Sequence, residues 1–356
     1  MRIAKYQIEI RKDTGFLSQT IAILAALLAA TGISALLILS SGADVGLALK
    51  SLYRGAFGDG AALLETLVQS TPLIFTGLAM MVAFRSRVWN IGAEGQFFAG
   101  AMAATWISLN LSSLPKPILL TGVILGSMLA GALWASVPAV LKARFGASEI
   151  IVTVMMNYVI QYLLSYLLSS SWREPGSFFL QTARFAQASY FPRFFSSRLH
   201  LGFFLALFFA ILMYVLLWKT PLGYEIRAIG NNPTASKYKG INLNRTMVLV
   251  MMLSGAIAGL AGGSELAGIQ HRLRLDISTG YGYTGIIIAL LGRLHPVGVI
   301  LAAVFFGGLI NGSTSMQITT GVPVALVYSV QGIVLVCLLT ADVFSHYRLR
   351  RVKDAG

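Results

Sequence analysis

The sequence predicts an all-α, polytopic membrane protein with about ten transmembrane helices, or eight or nine if its shortest apolar runs are broken or re-entrant. Three observations carry that prediction. Of 356 residues, 56% are hydrophobic and 11% charged, whereas about a quarter of the residues in a soluble domain are charged. The apolar residues come in runs that approach the ~20 needed to cross a hydrocarbon layer as a helix. The basic residues, which give a formal net charge of +14, collect in short polar connections. In a membrane protein such an excess reflects loops beside anionic lipid rather than nucleic acid.

In chain order the candidate spans are residues 16–39, 63–84, 91–109, 118–140, 150–168, 201–218, 247–263, 283–291, 297–310 and 322–339. The first run is too long for a signal-peptide core and is expected to be a retained helix. The eighth and ninth are short and are candidates for broken or re-entrant segments. With the N-terminus inside, 18 of the 27 Lys and Arg residues fall on the cytoplasmic side and nine on the other. That bias predicts a cytoplasmic segment at 1–15, a cytoplasmic tail at 341–356 and both termini inside the cell. No break in composition divides the spans, so 1–356 is read as a single transmembrane domain. The longest outer loop, 169–200, is polar and aromatic and has an amphipathic texture. The lone Cys337 allows no disulfide within the chain and no cysteine metal cluster.

The segment 219–245 is a long polar stretch between two membrane-length runs. It carries Lys219, Arg227, Lys237, Lys239 and Arg245, which predicts a cytoplasmic loop. Tyr224 to Ile229 can form a short helix, interrupted at Asn231, Asn232 and Pro233. Pro suits a first helical position, so a second short helix is expected to start there and end at Gly240. A knuckle held between two spans can receive a push from a soluble partner. It can equally be a plain solvated connection.

Polar side chains inside spans are costly and face a bundle interior or a water-filled path. Glu65 and Gln69 share a face of the second span, which Pro72 can bend. Asn90, Glu94 and Gln96 lie in a Gly-flanked helix entry. Asn157 and Gln161 are one turn apart in the fifth span. They can line a solute path or brace helices by hydrogen bonds. Amides both donate and accept, which suits a neutral, hydroxyl-rich solute. A faint internal echo links Arg87–Gly92 with Arg293–Gly298: each has an Arg, a helix-interrupting Asn or Pro and a Gly, and each precedes a Phe-Phe pair. Transporters commonly contain such repeats. No phosphate-binding Gly-x-x-x-x-Gly-Lys-Ser/Thr, His-Glu-x-x-His or Gly-x-Ser-x-Gly motif occurs. The scattered histidines read as interfacial, and acidic residues within spans are too few for a catalytic cluster. No catalytic residue and no metal ligand is therefore expected.

Four separated stretches together carry a resemblance. TPLGYEIRAIGNNPTASKYKGIN at 220–242 resembles the cytoplasmic loop of permease subunits of bacterial ABC importers of the branched-chain-amino-acid and ribose group. VWNIGAEGQ at 88–96, GASEIIVTVMMNY at 146–158 and GIIIALLGRLHPVG at 285–298 resemble its simple-sugar and nucleoside branch. The likeness covers about residues 60–340. It departs from the usual pattern at Lys239 and His295, and nothing comparable is found for the N-terminal region or the 169–200 loop.

The resemblance implies a permease in a bacterial cytoplasmic (inner) membrane, paired with a second, related permease. A cytoplasmic ABC ATPase, often two fused nucleotide-binding domains, would bind the ATP, and an extracytoplasmic binding protein or lipoprotein would deliver solute. This chain would bind no cofactor. The loop would dock in a groove of the ATPase, making Tyr224, Glu225, Arg227, Gly230, Asn231, Pro233, Ala235, Lys237, Tyr238 and Gly240 the coupling residues. The alternative is a stand-alone, ion-coupled secondary carrier. Against that alternative, the spans lack the paired carboxylates of a proton relay.

Overall fold

The computed structural model describes residues 2–3, 6–10 and 16–351. Lys5, Arg11, Lys12 and Lys353, which contribute to the charge bias, lie outside the described residues. The chain divides into two compact units, residues 60–308 and residues 1–59 with 309–356.

The larger unit is built on α3 (Gly60–Arg85), α4 (Ala93–Asn110), α5 (Lys116–Phe145), α6 (Glu149–Ser169), α7 (Leu201–Lys219), α8 (Pro221–Asn231), α9 (Pro233–Tyr238), α10 (Leu243–Glu265) and α11 (Tyr281–Leu291), with the start of α12 (Pro296–Thr320). A π-helical turn at Leu266–Gln270 prolongs α10. α3 is the central post: nearly every residue from Thr66 to Phe84 is buried. α10 packs against α4 and α5 through glycine. Gly131 lies against the backbone of Gly255 and Gly259, Gly100 against that of Gly259, and Gly262 against that of Phe97. A methyl group at any of these positions would overlap the neighbouring backbone, so these seams require glycine. Ser254, Ala258 and Gly262, spaced by four along one face of α10, are all buried.

Local chemistry explains the helix ends. Thr220 caps α8 by accepting from Gly223 N at 3.1 Å, Asn232 caps α9 by accepting from Ala235 N at 3.1 Å, and Asn242 caps α10 by accepting from Arg245 N at 3.0 Å. Pro221 and Pro233 occupy first-turn positions, where no backbone N–H is required. Gly146, at φ 68°, ends α5, and the Lys142–Glu149 ion pair at 2.7 Å closes the turn into α6.

The smaller unit holds α1 (Phe16–Ser40), α2 (Val45–Phe57), the end of α12 and α13 (Val324–His346). Ile38, Ala48, Met316, Val322 and Val327 form its core. Strands β1 (Arg2–Ile3), β2 (Tyr6–Ile10) and β3 (Tyr347–Arg351) make a small antiparallel sheet in the order β1-β2-β3. The architecture is helical as expected, with this short sheet added near the chain ends. The β2–β3 pairing holds the two ends of the chain together.

All ten expected spans fall on helices, but not all are long. Among the described residues six helices are long and apolar enough to cross a membrane: α3, α5, α6, α7, α10 with its π turn, and α12. The expected count of about ten is therefore not established. α11, with 11 residues, is short as expected. α12 is not: it runs unbroken for 25 residues and takes in Asn311, Ser313 and Gln317, beyond the expected end of that span at residue 310. α2 was missed because Lys50 and Arg54, on its exposed face, interrupt the apolar run.

Hydrogen bonds and ion pairs in the larger unit join helix ends in two separate sets. One joins Arg85 to Leu294, Lys142 to Glu149 and Asn244 to Ala143. The other joins Glu65 to Arg198, Glu174 to Arg272 and Phe191 to Ala267.

Candidate functional site

The entry to α4 is a buried polar knot. Asn90 Nδ2 donates to Gln96 Oε1 at 3.0 Å and to Ser254 Oγ at 2.9 Å; its Oδ1 accepts from Gln96 Nε2 and Gly92 N, both at 3.0 Å. Ser254 Oγ in turn donates to Ala79 O at 2.7 Å. One amide thus ties α3, α4 and α10 together. Asn157 of α6 accepts from Gly95 N at 2.8 Å and donates to Ile91 O at 3.0 Å and Tyr283 Oη at 3.2 Å. Glu94 accepts from Gly282 N at 2.7 Å, placing a carboxylate at the N-terminus of α11, where the helix dipole favours negative charge.

Asn90, Glu94, Gln96 and Asn157 are all buried and are brought into this knot. Glu65, Gln69 and Gln161 are only partly buried. Glu65 pairs instead with Arg198 at 2.9 Å. Sequence reasoning missed Tyr283 and the backbone of Gly282. It also did not single out the hydroxyl of Ser254, which relays the Asn90 bond.

The opposite end of α10 is covered by 169–200. Its backbone bonds to the stretch after α10 through Thr182 N to Leu273 O, Phe185 N to His271 O and Phe191 N to Ala267 O, all within 2.9–3.0 Å. Phe185 and Phe191 are buried beneath it, whereas Phe178 is 91% exposed. His200 and His271 are buried rather than interfacial. Burial, then Arg193, His271 and Arg198, push the His200 imidazole down to about 4. Burial, then Arg193 and Arg184, bring His271 to about 4 as well. His271 stacks on Tyr190 with ring centroids 3.7 Å apart and accepts from Arg193 Nη2 at 3.1 Å.

The α8–α9 segment forms a supported arm. α8 is fixed on three sides. Gly223 lies on the carbonyls of Leu216 and Leu217, Gly230 on the carbonyl of Arg85, and Glu225 accepts from Thr246 Oγ1 at 3.1 Å. Ile226 and Ile229 face inward and Tyr224 faces outward. α9 has Ser236 buried, while Pro233, Ala235, Lys237 and Tyr238 are exposed, as are the flanking Asn231, Lys239 and Gly240. The exposed part of the arm is therefore basic and aromatic.

Long apolar helices, glycine seams, a polar knot at a broken helix entry and a braced polar arm define a class: the membrane-spanning subunit of a transporter. Residues 62–339 match the family described as branched-chain amino acid transport system / permease component, and the chain belongs to that family. It is 37% identical over 309 residues to the glucose ABC transporter permease protein TsgB13 of Haloferax volcanii, covering 82% of this chain and 81% of that one. It is 36% identical over 343 residues to the guanosine ABC transporter permease protein NupP of Bacillus subtilis, covering 94% and 96%. It is also 28% identical over 252 residues to a second guanosine permease of that organism, NupQ, covering 68% and 78%.

Proposed function

We propose that residues 1–356 act as one transmembrane permease domain of an ATP-driven importer for a nucleoside or simple-sugar-like solute, in a bacterial cytoplasmic membrane with both termini inside. The similarity to permeases named for guanosine and glucose supports this solute class. That two distinct guanosine permeases of one organism both match supports pairing with a second, related subunit. A cytoplasmic ATPase, with two fused nucleotide-binding domains, supplies the hydrolysis, and an extracytoplasmic binding protein or lipoprotein supplies the solute.

The observation that carries this reading is the arm: α9 stands exposed while α8 is braced by α3, α7 and α10. A surface that is free on one side and rigidly seated on the other can turn an external push into helix movement. In this reading Tyr224, Glu225, Arg227, Gly230, Asn231, Pro233, Ala235, Lys237, Tyr238 and Gly240 form the ATPase-coupling element. Glu65, Gln69, Asn90, Glu94, Gln96, Asn157 and Gln161 line the solute path. The knot closes that path when its amides bond one another. It opens when α4, α6 and α11 shift and those amides exchange their bonds for solute hydroxyls, each worth about 0.5–1.5 kcal/mol net. Deleting residues 231–238 is expected to abolish co-purification of the ATPase while the chain still inserts. Undiminished co-purification would refute the coupling role.

A further inference from the structure

The sequence echo between Arg87–Gly92 and Arg293–Gly298 has a structural counterpart. α3 ends with Arg87 at φ 58°, Arg87 N donating to Phe84 O at 3.0 Å and Val88 N to Ala83 O at 3.2 Å. α11 ends with Arg293 at φ 54°, Arg293 N donating to Leu290 O and Leu294 N to Ala289 O, both at 2.9 Å. Both are the same helix stop, a 6→1 bond enclosing a 5→2 bond, with a left-handed residue where glycine is usual. The two helices that open the α3–α4 and α11–α12 hairpins therefore end in the same way, although Leu294, at φ 53°, adds a second left-handed residue to the later turn.

One side chain joins the two stops. Arg85 Nε donates to Leu294 O at 3.0 Å. The same guanidinium lies over the Trp218 ring, 5.1 Å from its centroid, at the last turn of α7. Trp218 and Tyr214 also hold the His295 ring, at 5.1 and 5.9 Å. The backbone of Arg85 forms the seat of Gly230 on α8. Arg85 thus touches α8 through its carbonyl, α7 through its stacked face and the α11–α12 turn through its Nε–H. Beyond that turn, α11 runs to Tyr283 and Gly282, which bond Asn157 and Glu94. Beyond its own turn, the chain reaches Asn90.

We propose that Arg85 is the positioning residue that transmits displacement of α8 to both hairpins together, so that the polar knot is pulled from α4 and α11 at once. This rests on the reading of α8–α9 as the ATPase-coupling arm. Lysine cannot substitute, because it has no planar face to stack on Trp218 while donating to Leu294 O.

The test uses the full complex of this chain, its partner permease and ATPase in proteoliposomes, with the purified binding protein as the probe. Stimulation of ATP hydrolysis by the binding protein reports coupling across the membrane and depends on no assumption about the solute. Arg85→Ala and Arg85→Lys are expected to keep the ATPase bound and basal hydrolysis intact, while stimulation falls about fivefold or more, the lower range of typical coupling between sites. Trp218→Phe, which keeps a ring under the guanidinium, is expected to retain stimulation, and Trp218→Ala to lose it. Full stimulation in Arg85→Ala overturns the proposal. If that variant does not fold, full stimulation in Trp218→Ala overturns it instead. The deletion of 231–238 separates the two ideas. An ATPase that stays bound after the deletion removes the arm as its dock, whereas an uncoupled but docked Arg85→Ala complex identifies the relay.

Discussion

The entry to α4 and the α8–α9 arm both contain asparagines, glycines and a single acidic residue, yet they use them in opposite ways. Asn90 and Asn157 are at most 1% exposed, and each amide reaches a partner on another helix. Asn232 is exposed, and its carbonyl oxygen caps its own helix. Within hydrocarbon an unmade hydrogen bond is costly, so a buried amide must find a partner across the bundle. In water the same amide competes with solvent, and only a local capping bond holds it. Glycine divides in the same way. Gly259 admits the backbones of α4 and α5, whereas Gly240, at φ 83°, simply turns the chain after α9.

The sharpest way to break this comparison is to fill the glycine seam. Gly259→Val would drive a branched side chain into the backbone of Ser127 and Gly131. Gly259→Ala already overpacks a site of that kind by about 1–3 kcal/mol. The valine variant is expected to give no monodisperse protein in detergent, whereas Gly240→Ala should purify normally. A stable Gly259→Val protein would show that the seam is loose.

Next in size is the knot itself. Asn157→Ala leaves Gly95 N–H and Ile91 C=O without their partner, at about 1–3 kcal/mol for each buried group left unsatisfied. Thermal unfolding in detergent should move down measurably and solute uptake should fall, with the ATPase still co-purifying. Unchanged uptake would remove Asn157 from the path.

The comparison also extends to a pH dependence at the far end of α10. His200 and His271 take up protons near 6.5 when unfolded but only near 4 when folded. Between those values the unfolded state binds more protons, so stability falls as pH drops from about 6.5 towards 4 and is flat above that range. Replacing both histidines with glutamine should flatten the acid limb of the melting temperature. A limb of unchanged slope would assign it to other groups.

What the sequence made legible was local. Asn232, Pro233 and Gly240 announce the break after α8 and the end of α9 because caps act within three residues. The apolar runs announce the helices because hydrocarbon demands them. Asn90, Glu94, Gln96 and Asn157 could be singled out by residue type and depth, but their bonding partners could not. Asn157 meets Gly95 from 62 positions away, Asn90 meets Ser254 from 164, and Arg85 meets Leu294 from 209. The amphipathic α2 was hidden by the exposed Lys50 and Arg54, and the unbroken α12 by polar residues that tertiary contacts absorb: Asn311 Nδ2, for instance, donates to Gly55 O at 2.7 Å. The strands at the chain ends depend on pairing between its first and last residues, which no local pattern encodes.

The central claim is that α9 faces the compartment holding ATP. In a Cys337→Ser background, Lys239→Cys should react with a membrane-impermeant maleimide in inverted vesicles, lose that reactivity when the ATPase is bound, and stay unlabelled in right-side-out vesicles. Labelling from the outer face would put the arm beyond the reach of any cytoplasmic motor and contradict the account.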